Sequence, residues 1–333
     1  TLSSSSAASD VYKRQGVDSS VAALILKRKG FDVHGVYMNN WDCNKKDYDD
    51  VVAVGKKLKI PVKKISFEVD YIDNVFIPFL KNLDKGFHIN PDVLCNSLIK
   101  FGLLYDYAIN KMGADFLATG HYCKNLNGSL YMSKDRTKDQ SYFLYKILDN
   151  DLSRIIFPLQ DFMKRDVRSI ALRNGLITAN KKDSTGICFI GNKKFKNFIS
   201  RYRDDNPGDI TFNGKVIGKH KGLHYYILGQ RKGLDLSGGP FYVVNKNLSK
   251  NTLIVGKKDL LMFKKASFFD KVGDFRGDCF ARFSNLGDLY KVNISNNSLT
   301  LKDSRPKVGL GQSVVFYSID GKVLGGALIS KYE

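Results

Sequence analysis

Hydrophobic and polar positions follow two different rhythms along this chain, and the change comes near Arg201. Before it, strand-length and helix-length apolar segments alternate. Gly16-Val17-Asp18-Ser19-Ser20 leads into Val21-Ala22-Ala23-Leu24-Ile25-Leu26, a run of good helix formers that ends near Gly30. Residues 31–38 read as a buried strand, 49–58 as a helix and 61–67 as another strand. Residues 71–83 and 95–112 have helical patterning, and Asp115-Phe116-Leu117-Ala118-Thr119 is a short strand ending in Gly120-His121. Strands alternating with helices predict an α/β fold built on a doubly wound parallel sheet. Ligands of such sheets sit at the carboxyl ends of the strands, where Met38, Gly120 and the Gly16 loop all fall.

Past Arg201, glycines and turn pairs punctuate short segments: Pro207-Gly208-Asp209, Asn213-Gly214, Gly218, Gly229, Gly233 and Gly238-Gly239. That stretch, 201–262, predicts a small, loop-rich β module. From about Lys264 the polar and apolar positions alternate over short strands, among them 279–283, 290–294, 299–301, 313–317 and 323–329. This is the pattern of a small β-barrel, expected over 263–333. There is no internal repeat.

Composition narrows the class. A 333-residue chain with 43% hydrophobic and 12% aromatic residues is globular and long enough for two or three domains. No apolar run is long enough to cross a bilayer, and the start shows no basic segment followed by an apolar one, so neither membrane nor secretory signal is expected. Five widely spaced cysteines make no disulfide framework. A reducing cytoplasm is the expected compartment, in which a cysteine pair would be catalytic and transient. The net charge of +20 attracts polyanions, with nucleic acid first among them, although lysine-rich composition bias gives the same figure.

Five stretches carry candidate chemistry. Gly16 to Ser20 at a helix start offers backbone N–H groups, hydroxyls and a positive dipole end to an anion, without the Gly-Lys-Ser/Thr ending of a mononucleotide P-loop. Read alone, it is equally a helix capped by Asp18 or Ser19. Asn90-Pro91-Asp92-Val93-Leu94-Cys95-Asn96 and Asp183-Ser184-Thr185-Gly186-Ile187-Cys188-Phe189 each set one cysteine among turn-forming and acidic residues. Pro91 predicts a turn over 90–92 and a helix whose first turn holds Cys95, where the dipole favours thiolate. Local sequence leaves both thiols open between reaction and packing. Lys138-Asp139-Gln140-Ser141-Tyr142-Phe143-Leu144 is a helix start capped by Asp139 or a nucleotide-engaging surface, and Gly229-Gln230-Arg231-Lys232-Gly233 suits phosphate contacts. His220 and His224 are four apart, but Gly222 between them weakens the helix that a metal pair needs, so no metal site is assigned. Cys43, Cys123 and Cys279 have no polar constellation and read as structural.

Taken in order, these stretches resemble the tRNA-specific 2-thiouridylases, members of the N-type (PP-loop) ATP pyrophosphatase superfamily. The resemblance rests on Gly16 to Ser20, Met38-Asn39-Asn40-Trp41, Asn90 to Asn96, Ala118-Thr119-Gly120-His121-Tyr122, Lys138 to Leu144, Asp183 to Gly191, Gly229 to Leu234 and Gly311-Gln312-Ser313-Val314-Val315-Phe316-Tyr317, and so covers nearly the whole chain from residue 16. It implies a PP-loop catalytic domain over 16–200, a central tRNA-binding domain over 201–262 and the barrel domain over 263–333. It implies ATP-dependent 2-thiolation of the wobble uridine of tRNA, with ATP (and Mg²⁺) at Gly16, Val17, Asp18, Ser19, Ser20, Met38 and Gly120. It makes Cys188 the carrier of a persulfide supplied by a relay protein, Cys95 its partner in a transient disulfide, and Asp92 the general acid/base. Asn90, Pro91, Asp92, His121, Lys138, Asp139, Gln140, Arg282, Phe283 and Gln312 then match positions that touch tRNA. Phe283 lacks the hydroxyl of the family's tyrosine but leaves stacking available.

The match fails at the start. The family opens with an apolar strand running into Ser-Gly-Gly-Val-Asp-Ser-Ser, whereas here Val11-Tyr12-Lys13-Arg14-Gln15 precedes Gly16. Residues 1–15 are therefore expected to be a non-native or disordered start, and the first strand to be mostly missing. Two other readings compete with thiolation: another PP-loop synthetase that activates a carbonyl, and a tRNA-binding homologue that has lost catalysis.

Overall fold

The computed structural model describes residues 6–11, 16–41, 45–182, 189–190 and 195–333. The chain divides into two compact units: Thr1–Phe76 with Asp92–Thr185 and Tyr317–Gly325, and Ile77–Pro91 with Gly186–Phe316 and Gly326–Glu333.

The first unit is built on a five-stranded parallel sheet. Its strands are β1 (Ser6–Val11), β2 (Asp32–Asn39), β3 (Val62–Ser66), β4 (Phe116–Ala118) and, after a small hairpin of β5 (Cys123–Leu126) and β6 (Ser129–Met132), β7 (Ile155–Ile156). The order is β3-β2-β1-β4-β7. The opening strand expected to be missing is thus present, in the centre: Ser6–Val11 pairs with Asp32–Tyr37 on one side, and Ala7–Ser9 with Phe116–Ala118 on the other. A central strand is held through backbone N–H and C=O groups, which every one of these residues supplies whatever its side chain.

Helix α1 (Val17–Arg28) follows β1, and α2 (Lys45–Leu58) follows β2. Val17, Val21, Ala22 and Ala23 of α1 are fully buried. They join Val33 of β2, Val54 and Leu58 of α2, and Val167 and Ala171 of a later helix in one apolar core. Short residues let α1 approach the sheet closely. The next helical stretches are α3 (Glu68–Tyr71), α4 (Ile77–Asp84), α5 (Pro91–Leu94), α6 (Leu104–Asp106), α7 (Lys164–Arg173) and α8 (Phe195–Ile199), with wide π turns over Ile72–Phe76, Cys95–Leu103 and Tyr107–Lys111. Asn125 ties the hairpin to the sheet edge, its amide donating to the carbonyls of Leu152 (2.6 Å) and Ile155 (2.8 Å).

The second unit holds two β assemblies. Strands β8 (Gly208–Phe212), β9 (Lys215–His220), β10 (Tyr242–Asn247) and β11 (Thr252–Gly256) form a sheet in the order β10-β11-β8-β9. Strands β12 (Met262–Gly273), β13 (Gly277–Arg282), β14 (Tyr290–Ser295), β15 (Ser298–Pro306), β16 (Ser313–Tyr317) and β17 (Val323–Tyr332) close into a barrel in the order β12-β15-β14-β13-β16-β17. Alternation put five of these six strands in the sequence reading. The sixth, β12, is longer, and four of its residues, Asp270 to Gly273, follow no alternating burial.

Candidate active site

Helix α1 begins without a side-chain cap. Its N-cap is Gly16 in extended conformation, so neither Asp18 nor Ser19 plays the capping role that the pentapeptide alone allowed. First-turn N–H groups have no partner inside a helix, and among the described residues no side-chain cap takes them, which leaves the positive end of α1 suited to an anion. The Ser20 hydroxyl is buried there without a hydrogen-bond partner among the described residues.

Asp18 turns sideways instead. Lys164 Nζ, from the first residue of α7, donates to both carboxylate oxygens at 2.7 Å, and the Tyr122 hydroxyl donates to Oδ1 at 3.0 Å. Lys164 is 9% exposed, so this ion pair is largely shielded from water. A cation at a helix N-terminus is opposed by the dipole, and the carboxylate offsets that cost. Two further contacts fix the partners. Asp135 accepts the Lys164 backbone N–H at 2.8 Å, and Gln140 joins Tyr122 through a backbone–backbone bond of 2.8 Å and a bond of 2.9 Å from Tyr122 N–H to its side-chain oxygen.

Gly120 closes the site from the end of β4. A Cβ there would lie 2.8 Å from Ser19 N, 3.0 Å from the Asp18 carbonyl carbon and 3.1 Å from Ser19 Cα. Only a residue without Cβ lets the two backbones meet this closely. Met38 pairs with Ile65 near the carboxyl end of β2 and its side chain is fully buried. Asn40, just beyond, is fully buried with both ends of its amide unpartnered among the described residues.

The cysteine-bearing helix starts one turn earlier than its sequence suggested. Pro91 is the first helical residue rather than part of a turn, as suits a residue with no N–H to lose. Cys95 therefore lies in the second turn, beyond the reach of the dipole, and is 2% exposed. Asn96 donates to the Phe143 carbonyl at 3.2 Å and receives Lys100 Nζ at 2.9 Å. His121 rests near Phe101, with ring centroids 5.7 Å apart, and its Nδ1 shares a 2.8 Å hydrogen bond with the Thr119 hydroxyl. Burial, then the Lys100 charge, holds its pKa far below the usual histidine value, so it is neutral. Asn90 and Asp92 flank buried Pro91 and are partly exposed.

Cys43 and Cys188 lie outside the described residues, as do Asp183 to Ile187. The chain leading to Asp183 is anchored: Arg168 donates to the carbonyls of Ala179 (3.0 Å) and Lys181 (3.1 Å), and Lys181 Nζ reaches Asp47 and Asp50, each at 2.8 Å. Burial alone would lower the Lys181 pKa; the two carboxylates outweigh it and raise it. Cys123 and Cys279 are buried, and burial pushes both thiols up, Cys279 to about 12.

Several expected RNA contacts face inward. Asp139 is fully buried and accepts from Ser133 N–H (2.9 Å) and the Ser141 hydroxyl (2.8 Å), because its carboxylate is needed to close the 133–141 turn. It caps no helix: the N-cap of the following short turn is Gln140. Phe283 is 1% exposed, lies against Phe263 and Tyr290, and is covered by the Arg305 guanidinium 4.0 Å from its ring centre, so no ring face is left for a base. Arg282 is 6% exposed. Lys138 and Gln312 are partly exposed, and Arg231 and Lys232 are exposed.

Sequence reading missed Lys164 and gave Tyr122 no role. The available signal for the first was a lysine at a helix start, where charge preference disfavours it. The signal for the second was a tyrosine just after the Gly120 approach.

Among the described residues no group of three His, Cys, Asp or Glu side chains could hold a metal ion. No helix among them is long and apolar enough to cross a membrane. The tRNA methyl transferase HUP domain description matches residues 11–192, and the tRNA methyl transferase PRC-barrel domain description matches 196–257. The tRNA-specific 2-thiouridylase MnmA 1 of Geobacillus kaustophilus is 42% identical over 347 aligned positions, covering 95% of this chain and 93% of its own. The tRNA-specific 2-thiouridylases MnmA of Staphylococcus aureus and Oceanobacillus iheyensis are each 43% identical over 346 positions, with 94% of this chain and 92% of their own covered. An uncapped helix start at the carboxyl edge of a parallel sheet, a helix carrying a buried cysteine and similarity running almost end to end agree: the chain belongs to the tRNA-specific 2-thiouridylase family.

Proposed function

We propose that this chain is a tRNA-uridine 2-sulfurtransferase that replaces the 2-oxygen of the wobble uridine, position 34, with sulfur at the expense of ATP. The observation that carries the reading is the uncapped start of α1, with Gly120 packed on Ser19 and Lys164 seated on Asp18. Gly16, Val17, Asp18, Ser19 and Ser20 would receive the ATP phosphates, with Met38 and Gly120 beside the nucleotide. Mg²⁺, if used, would arrive on those phosphates, since Asp18 is already engaged by Lys164. The catalytic domain would run to residue 200 with β1 as its central strand, the central tRNA-binding domain would span 201–262 and the barrel domain 263–333.

The chemistry runs in three steps. The uridine 2-oxygen attacks the α-phosphorus and pyrophosphate leaves, so the C2–O bond now carries AMP. The terminal sulfur of a persulfide on Cys188, delivered by a relay protein, attacks C2; the C2–O bond breaks and AMP departs with the oxygen. The Cys95 thiolate then attacks Cys188 sulfur, the S–S bond to the substrate breaks, and its electron pair completes the C2=S bond. The Cys95–Cys188 disulfide that remains needs a two-electron thiol reductant. Asp92 would move the proton, and Asn90 and Pro91 would meet the extruded base. Lys138, His121, Gln140, Arg282 and Gln312, with the exposed Arg231 and Lys232, are the tRNA contacts proposed alongside them; those of buried side chains would be through backbone.

The test is incubation with unmodified tRNA, ATP, Mg²⁺ and a persulfide donor, followed by a mercury-containing gel. A retarded tRNA band that disappears in both Cys95→Ser and Cys188→Ser is expected. A band that survives Cys188→Ser would remove the persulfide role, and tRNA binding without any band would favour the non-catalytic homologue.

A further inference from the structure

The chain reaches Asn90 through a short segment that the second unit grips from three directions. Phe87 N–H closes onto the Asn82 carbonyl at 2.9 Å, and His88 N–H donates to the Leu310 carbonyl at 2.6 Å. Gly311 has a φ of +80°, and a Cβ on it would lie 2.8 Å from Phe87 Cβ and 3.1 Å from His88 N. The His88 side chain, 8% exposed, donates to the Tyr226 carbonyl on one side. On the other side, Lys246 Nζ of β10 lies 2.9 Å from its Nε2.

An ammonium only donates, so Nε2 accepts and the imidazole is neutral. Burial, and then the Lys246 charge, bring the His88 pKa down to about 3. Burial also lowers Lys246 to about 8. Among the described residues Lys246 has no carboxylate partner. As a source of stability this pair is poor: desolvating a cation against a neutral ring costs more than an apolar pair filling the same place. What it does supply is direction, since the ring is fixed by one bond on each nitrogen.

We propose that Lys246 and His88 are positioning residues for thiolation, holding the chain ahead of Asn90-Pro91-Asp92 so that the Asp92 carboxylate meets the target base in register. This rests on the role given above to Asp92. Neither residue touches reacting atoms; Lys246 acts from the central sheet through His88 and the two peptide links to Asn90.

The test uses the full chain with Lys246→Met, His88→Leu, the double variant, and His88→Gln, whose amide keeps both an acceptor for Lys246 and a donor for Tyr226. Hydrogen exchange of residues 87–94 reads position without requiring catalysis. It is expected to accelerate about tenfold in Lys246→Met, the worth of one hydrogen bond to a charged group. Single-turnover thiolation is expected to slow about tenfold while the Kd for tRNA stays within about twofold. The double variant should be no slower than either single one, and His88→Gln should run close to the parent rate. Unchanged exchange over 87–94, or a lower Tm with an unchanged turnover rate, would overturn the proposal and leave a packing contact. Faster exchange in a protein whose parent form makes no thiolated tRNA would overturn the catalytic role through the functional reading beneath it, and the exchange data would show which of the two had failed.

Discussion

Replacing Gly120 with alanine tests the candidate ATP site with a single methyl group. The added Cβ would meet Ser19 N at 2.8 Å and two more backbone atoms at 3.0 and 3.1 Å, whereas ordinary contact begins at 3.4 Å. The shortfall, about 0.6 Å, cannot be relieved by rotating a side chain, because every atom it meets is main chain. Helix α1 must retreat, and Val17, Val21, Ala22 and Ala23 behind it are fully buried. Overpacking of this kind costs about 1–3 kcal/mol, and loss of glycine freedom in the unfolded chain returns up to about 1 kcal/mol. The larger effect falls on binding. Moving N–H donors by about 0.6 Å takes a phosphate bond of about 2.9 Å to the edge of hydrogen-bond reach, and one or two charge-assisted bonds lost this way weaken ATP binding about 10- to 100-fold. ATP titration followed by calorimetry, with Tm from the same samples, measures both. Binding within twofold of the parent, at an unchanged Tm, would show that Gly120 and α1 are not in contact where ATP acts.

Three further outcomes follow from other contacts. Lys164→Met removes both bonds to the Asp18 carboxylate; a destabilisation of about 1–3 kcal/mol by urea unfolding is expected, with ATP-dependent adenylation falling more than about tenfold, and an unaltered rate would separate Lys164 from the site. Asn125→Ala strands the carbonyls of Leu152 and Ile155 and should cost about 1–3 kcal/mol in the same assay without changing ATP affinity. His88 has a folded pKa below its unfolded value, so protonation favours unfolding: its contribution is complete above about pH 6.5 and is lost as pH falls toward about 3. Between pH 6.5 and 5 the loss amounts to about 2 kcal/mol, and His88→Gln should be more acid-resistant than the parent by that amount.

Periodicity carried the fold well because burial imposes it. Strands β2, β3 and β4 of the parallel sheet and five of the six barrel strands were legible from their apolar patterning, and the glycine-rich stretch between them is the four-stranded sheet. β1 was illegible because Ser6–Val11 has no apolar run, and its place comes from backbone pairing on both sides. At the site, composition named the anion loop and Cys95 but could not say which way side chains turn. Asp139 and Phe283 look like exposed recognition residues in a polar or aromatic context; each is drawn inward by partners far off or across a strand, Ser133 for one and Arg305 for the other. Lys164 escaped notice for the same reason: its partner, Asp18, lies 146 positions away.

The barrel's closure bears on its birth. Strand β12 has β15 on one side and β17 on the other, and about fifty residues separate the end of β12 from the start of β17. On the ribosome, therefore, the first five strands emerge as an open ribbon, with β12 and β16 each carrying a row of unanswered N–H and C=O groups. Only when residues 323–332 leave the exit tunnel can the ribbon seal. A ribosome that stalls or stops inside that last strand would release a chain with two sticky margins, a natural substrate for chaperones and proteases.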